Sequence, residues 1–300
     1  MIVDAHLGSA QLERLPGSPT PALTVATPHG VTVAADVWGP DVGRPVVLLH
    51  GGGQTRHAWR AIGPRLGTAG CQAFAVDLRG HGDTSWAPDG DYSYDRYVDD
   101  LTAVVAALAL DRPALVGASL GGSIALVAAA DGATDASALV LVDSAPQLEA
   151  RGVADLGAFM TGRPDGYASL EEIADEVARF TGRDRPPSIA GLRKNVRVDR
   201  SGRYHWHWDR RFMGTERSDA VTRQERLEAC ARKVAVPTLL VRGARSDLLS
   251  EDGAKAFLEL CPHSEYVSIA GASHMVVNDR NDRFADAVVE FLARRLATGT

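Results

Sequence analysis

Cysteine is scarce and scattered. The 300-residue chain holds three, Cys71, Cys230 and Cys261, and no two form a C-x-x-C pair, so neither a zinc ribbon nor a thioredoxin-type motif is written in it. An odd number of distant cysteines gives no disulfide framework and suits a reducing compartment. Long apolar runs are missing as well: the longest, such as Ala103 to Leu110, hold about eight residues against the roughly twenty a membrane span requires. Neither sign of charge dominates. Lys and Arg number 32 and Asp and Glu 38, a net charge of −6 with no long single-sign run, which excludes a nucleic-acid footprint and a polybasic membrane patch. The opening residues, Met1 to Gly8, lack a basic stretch followed by an apolar one, so no secretory signal is expected. These absences lead to the expectation of a soluble, cytoplasmic protein, with a homo-oligomer left open.

What is present is the composition of a folding core, 45% hydrophobic and 23% charged. A chain of this size buries enough apolar surface to fold without staples. Leu23 to Thr27 and Val31 to Trp38 alternate as half-buried strands do, with Pro28-His29-Gly30 as the turn between them. From Pro45 the pattern changes to short, nearly continuous apolar runs: 45–49, 73–76, 114–116, 138–142, 238–241 and 266–269. Strands of that kind are covered on both faces, as in a parallel sheet. Helical spacing separates them, with Tyr97, Leu101, Val104, Val105 and Leu108 in phase and Phe284, Val288, Phe291, Leu292 and Leu296 likewise. The expected architecture is α/β, a mostly parallel, doubly wound sheet of about eight strands.

One stretch interrupts the alternation. Residues 145–231 show no convincing buried strand but a helical segment from Ser169 to Phe180, a Pro186-Pro187 break and an aromatic cluster, Tyr204-His205-Trp206-His207-Trp208. This reads as a helical cap inserted between a first core part, 1–144, and a second, 232–300. Ligands of open α/β sheets bind beyond the C-terminal ends of the strands, so an insertion leaving there is placed to cover a site.

The chemistry is concentrated at strand ends. Gly117-Ala118-Ser119-Leu120-Gly121 matches G-x-S-x-G, with an apolar strand before it and a helical run after it; the glycines permit a sharp turn that holds Ser119 at its tip. A serine nucleophile needs a base, and His274 follows the last strand run. The base needs an acceptor, and Asp247 follows the preceding strand run; Asp143, which ends the 138–142 run, is the other carboxylate so placed. The buried run from Val46 ends in His50-Gly51-Gly52-Gly53, whose bare backbone can approach a ligand; the N–H groups of Gly52 and Leu120 are the expected oxyanion donors. G-x-x-x-x-G-K-[ST] and G-x-G-x-x-G are both missing, so no nucleotide site is written here. His205 and His207 lack further ligands, so no metal is expected either.

His50 to Gly53 followed by Trp59, Asp77 to Ser85, Gly117 to Gly121 and Gly271 to His274 together resemble, in order, the landmarks of the α/β-hydrolase superfamily in its capped serine-hydrolase branch. The resemblance covers residues 23 to 298, with the cap matched poorly. It implies a triad in the chain order Ser119, Asp247, His274, with Asp247 favoured over Asp143 because it holds the family's usual position. It also implies that Asp77 to Ser85 is a structural loop, that His50 orients the oxyanion loop and that no cofactor is needed. The implied activity is cleavage of a carboxylic ester, and the aromatic-rich cap suits a small to medium, largely apolar molecule, with Trp206, Trp208 and Met275 as expected substrate contacts. A carbon–carbon bond hydrolase, a lactonase or a cofactor-free perhydrolase on the same triad are the alternatives. A ligand-binding receptor on the same scaffold is the non-enzymatic one.

Overall fold

A computed structural model describes residues 12–185, 188–214, 220–274 and 282–296. A short strand β1 (Leu12–Arg14) precedes a hairpin of β2 (Leu23–Ala26) and β3 (Thr32–Trp38). The chain then runs through β4 (Arg44–Leu49), α1 (Gly63–Thr68), β5 (Cys71–Val76), α2 (Tyr94–Ala107), β6 (Ala114–Ala118), α3 (Leu120–Ala130) and β7 (Ala138–Val142). There follow α4 (Ala150–Thr161), α5 (Leu170–Thr181), β8 (Val196–Asp199) and β9 (Tyr204–Trp206). The last elements are α6 (Ala220–Lys233), β10 (Thr238–Gly243), α7 (Glu251–Leu260), β11 (Glu265–Ile269) and α8 (Asp282–Leu296). No helix among the described residues is long and apolar enough to cross a membrane.

The eight expected strands form one sheet in the order β11-β10-β7-β6-β4-β5-β3-β2. Only β3 runs against its neighbours; the other pairings are parallel. Side chains alternate across a strand, so each central strand feeds two cores. Leu115, Leu139 and Leu141 pack with Ile124 and Phe257 on one face. Val116, Val140 and Val142 pack with Val288 and Phe291 on the other. That double burial is why the runs at 114–118 and 138–142 are apolar throughout, since covering each Val or Leu contributes about 1.5–3 kcal/mol. The topological switch lies beside β4 and β6, where the chain reverses its direction of winding, and the site is built there.

Three features depart from the sequence reading. The stretch expected to be helical contains the β8–β9 hairpin, and β1, which lies before the first expected strand, pairs antiparallel with β8 to complete a second, three-stranded sheet. Its strands are short and carry Arg197, Asp199 and His205, so they show no apolar run by which to recognise them. The helix α6, assigned to the cap by the boundary at 231, packs instead against the core helices α3 and α7. The covering segment therefore closes before α6, and the second core part begins with it.

Candidate active site

The strand–helix turn at Ser119 is strained, and its neighbours explain how it is held. Ser119 sits at φ 47°, ψ −114°, in a region that residues with a Cβ seldom occupy. The glycines leave no alternative. A Cβ on Gly117 would lie 2.2 Å from the Gly121 carbonyl oxygen, one on Gly121 2.3 Å from that of Leu49, and one on Gly122 2.5 Å from the Ser144 side chain. Backbone is thus packed directly on backbone, and the turn is clamped further by Ser119 N–H donating to Val142 O at 3.0 Å and Ser144 Oγ donating to Ser119 O at 2.8 Å. Leu120 is the first residue of α3, where an N–H has no partner within the helix.

The glycine loop stands against this turn: a Cβ on Gly51 would come 3.4 Å from that of Ser119. Gly51 N–H is already committed to Gln54 Oε1 at 3.0 Å, whereas that of Gly52 makes no hydrogen bond among the described residues. The two expected oxyanion donors, Gly52 and Leu120, are therefore both available, and their residues adjoin, since a Cβ on Gly52 would lie 3.9 Å from Leu120 Cδ2. His50 shapes the loop. Fully buried, its Nε2 accepts the Leu78 N–H at 2.9 Å, which leaves the proton on Nδ1 to donate to Gly51 O at 2.7 Å. Burial pushes the His50 pKa down to about 4, so it is a neutral strut.

His274 lies in the loop after β11, and its Nδ1 is 2.6 Å from Asp143 Oδ2. The expected acceptor, Asp247, is corrected by this contact: its side chain is exposed, and Asp143 takes the place assigned to it. The reason lies in the turn after β10. Ser246 Oγ donates to Asp143 and accepts the N–H groups of Leu248 and Leu249, winding the chain so that both leucines are buried and Asp247 faces out. Asp143 is only 2% exposed, sits at φ 48° at the end of β7, and also receives the Gly243 N–H at 3.0 Å. A carboxylate buried to this degree needs such donors, and it has three. Both aspartates end strand runs in the sequence; the difference between them is side-chain reach, which a sequence does not display. The imidazole is thereby oriented with Nδ1–H toward Asp143 and a lone pair on Nε2. Among the described residues the Ser119 hydroxyl makes no hydrogen bond; such contacts often tighten only when substrate is bound. Arg245 holds the histidine loop through Gly271 O, and Arg183, just beyond α5, reaches Ser273 Oγ at 3.0 Å.

The loop from Asp77 to Ser85 is the seat of the covering segment. Asp77, fully buried, accepts from the Arg56 N–H and guanidinium and from Asp83 N–H. His207 Nδ1 accepts the Gly82 N–H at 2.7 Å while its Nε2 donates to Gly53 O at 3.2 Å, joining that loop, the covering segment and the glycine loop in one residue. Arg197 adds a bond to Gly82 O and an ion pair with Asp83. Among the described residues no group of three His, Cys, Asp or Glu could hold a metal.

Trp206 and Trp208 stack with ring centres 4.9 Å apart and border a cavity of about 380 Å³ that reaches Gly52 and Gly53. Phe159, Met160, Val177, Phe180 and Leu192 are among its other lining residues. A larger cavity, about 780 Å³, shares Met160, Trp206 and Trp208 but does not touch the glycine loop, and neither Ser119 nor His274 lines either cavity. Met275, the third expected substrate contact, lies outside the described residues.

Comparison with known proteins agrees with this architecture. An AB hydrolase superfamily protein of Bacillus subtilis is 27% identical over 257 residues, spanning 83% of this chain and 91% of that protein. An esterase of Mycobacterium tuberculosis is 31% identical over 260 residues, spanning 83% of this chain and 82% of that protein. The crystal structure of E-2-(acetamidomethylene)succinate hydrolase superposes with a TM-score of 0.76 at 23% identity, covering 90% of this chain and 98% of that one. Residues 44–280 match the alpha/beta hydrolase fold family, and with the sheet order, the strained serine turn and the histidine beyond the last strand, the chain belongs to that family.

Proposed function

We propose that the protein is a serine hydrolase that cleaves a carboxylic ester of a small to medium, largely apolar substrate through an acyl-enzyme on Ser119. The observation that carries this reading is the strained turn holding Ser119 beside two uncommitted amides. Ser119 Oγ attacks the carbonyl carbon as His274 Nε2 takes its proton. Asp143 fixes the ring and favours its charged form, and the Gly52 and Leu120 N–H groups receive the oxyanion. The imidazolium then protonates the departing alkoxide. In the second half His274 deprotonates a water that attacks the acyl carbon, and the proton returns to Ser119 as the acid leaves. Losing one oxyanion donor of this kind typically costs about 2.7–4 kcal/mol of transition-state stabilisation. The apolar wall beside Gly52 and Gly53 supports an apolar acyl or alcohol group, and the esterase relative supports an ester as the bond cleaved.

A fluorophosphonate probe tests the nucleophile. Wild-type protein is expected to be labelled at Ser119 and to hydrolyse p-nitrophenyl butyrate, and Ser119→Ala to do neither. Folded wild type that resists the probe and leaves the ester intact would overturn the reading.

A further inference from the structure

Buried cations in this molecule are met by carboxylates. Arg56 pairs with Asp36, Asp77 and Asp83, Arg79 with Asp100, Arg197 with Asp83 and Arg242 with Glu251. Lys194 is different. It is half-buried near the end of a short 3-10 turn, Ala190–Asn195, and its ammonium makes no hydrogen bond or ion pair among the described residues, though its carbonyl accepts from Arg197. It lines the 380 Å³ cavity that reaches Gly52 and Gly53. No Asp or Glu shares that lining, and burial lowers the pKa of His57, the other titratable group there, so Lys194 supplies the cavity's charge. A half-buried ammonium with no counter-charge among the described residues has only water, or whatever enters the cavity, to complete it. Burial and the nearby Arg60 cation both weaken its hold on its proton.

The next residue points the same way. Asn195 Oδ1 accepts the Thr55 hydroxyl at 3.2 Å, which commits the amide oxygen and leaves its two N–H donors uncommitted among the described residues. Asn195 lines the same cavity, so residues carrying an ammonium and an amide donor border a space that Phe159, Phe180 and Trp206 also line. An ammonium with a neighbouring amide donor suits a carboxylate, with charge-assisted hydrogen bonds.

We propose that Lys194 and Asn195 bind a carboxylate of the substrate, so that the ester cleaved belongs to a molecule with an apolar body and a free acid group. This deepens the serine-hydrolase reading and rests on it for the reaction, though not for binding. Two p-nitrophenyl esters of equal chain length test it, the neutral hexanoate and the monoester of adipate with its free carboxylate. Wild type is expected to favour the adipate ester in kcat/KM by about tenfold to a hundredfold, the range of a hydrogen bond to a charged group. Lys194→Met should collapse that ratio toward one, chiefly through the KM of the adipate ester, and Lys194→Arg should keep most of it.

A second readout is independent of turnover. Adipate titrated into Ser119→Ala should change tryptophan fluorescence saturably, because Trp206 borders the cavity, and the response should vanish in Ser119→Ala/Lys194→Met. Saturable binding without ester turnover by wild type would sink the hydrolase reading and leave the carboxylate site standing. Equal kcat/KM for the two esters in wild type, or an adipate response that survives loss of Lys194, would overturn the carboxylate site.

Discussion

Asp143 brings a carboxylate into a place almost closed to water, and its three hydrogen bonds fix both the acid and the ring beside it. Replacing it with asparagine puts an amide where Nδ1–H must donate and favours the wrong tautomer. Asp143→Asn is therefore expected to lower kcat/KM on a p-nitrophenyl ester by about a thousandfold or more. Asp247→Asn, at an exposed side chain, should stay within about threefold of wild type. Steady-state kinetics on the pair decides between the two aspartates, and the reverse ranking would restore Asp247. Ser119 and His274 could be singled out in the sequence because each stands alone in a distinctive local setting. The acid could not, because two aspartates ended neighbouring strands and only the Ser246 turn separates them. Lys194 and Asn195 left no mark in the sequence at all: a lysine in a polar stretch looks solvated until an apolar cavity is built around it.

At the scale of elements, the glycines of the serine turn are the most demanding positions. Gly121→Ala would drive a Cβ to 2.3 Å from the Leu49 carbonyl oxygen, and backbone on both sides prevents relief. A loss of about 1–3 kcal/mol, the usual range for overpacking, is expected together with a severe loss of turnover. Gly157→Ala is the contrasting case. It lies within α4, where an added Cβ meets only Met213 Cε at 3.6 Å, and alanine should stabilise the helix by up to about 1 kcal/mol. Thermal unfolding of both variants tests the contrast. The eight strands of the large sheet were legible because burial on two faces demands unbroken apolar runs. The small sheet was not, because β1, β8 and β9 each span three or four residues and alternate apolar side chains such as Val196 and Val198 with Arg197, Asp199 and His205, which make ion pairs and bond loop carbonyls. The misplaced boundary at α6 has a similar origin, since its polar composition hides the few residues it buries.

For the molecule as a whole, buried histidines set the response to acid. His50 and His207 are neutral in the folded state, and burial holds both pKa values below the ordinary 6.5, that of His50 at about 4. Unfolding frees these rings to bind protons, so below pH 6.5 the unfolded chain takes up more protons than the folded one. Their contribution is complete above pH 6.5 and declines as the pH falls toward 4, by about 2 kcal/mol at pH 5 from His50 alone. Asp36 acts lower on the scale. Burial would raise its pKa, but hydrogen bonds from His57 and Arg56 outweigh that and hold it at about 2, so its contribution is lost between 3.8 and 2. The melting temperature should accordingly fall steadily from pH 7 to pH 5, as read by calorimetry at constant ionic strength. A flat profile would show that these rings are reached by water.

The pairing of Leu12–Arg14 with residues 197–199 joins the beginning of the chain to a point nearly two-thirds along it. On a ribosome, β1 emerges early and has nothing to pair with until β8 and β9 have left the exit tunnel. By then β2 through β7 have all been made and can already be assembling. Contacts this far apart in sequence are slow to form. This part of the site's roof thus waits for β8 and β9, and the β10 and β11 strands with the His274 loop follow later still.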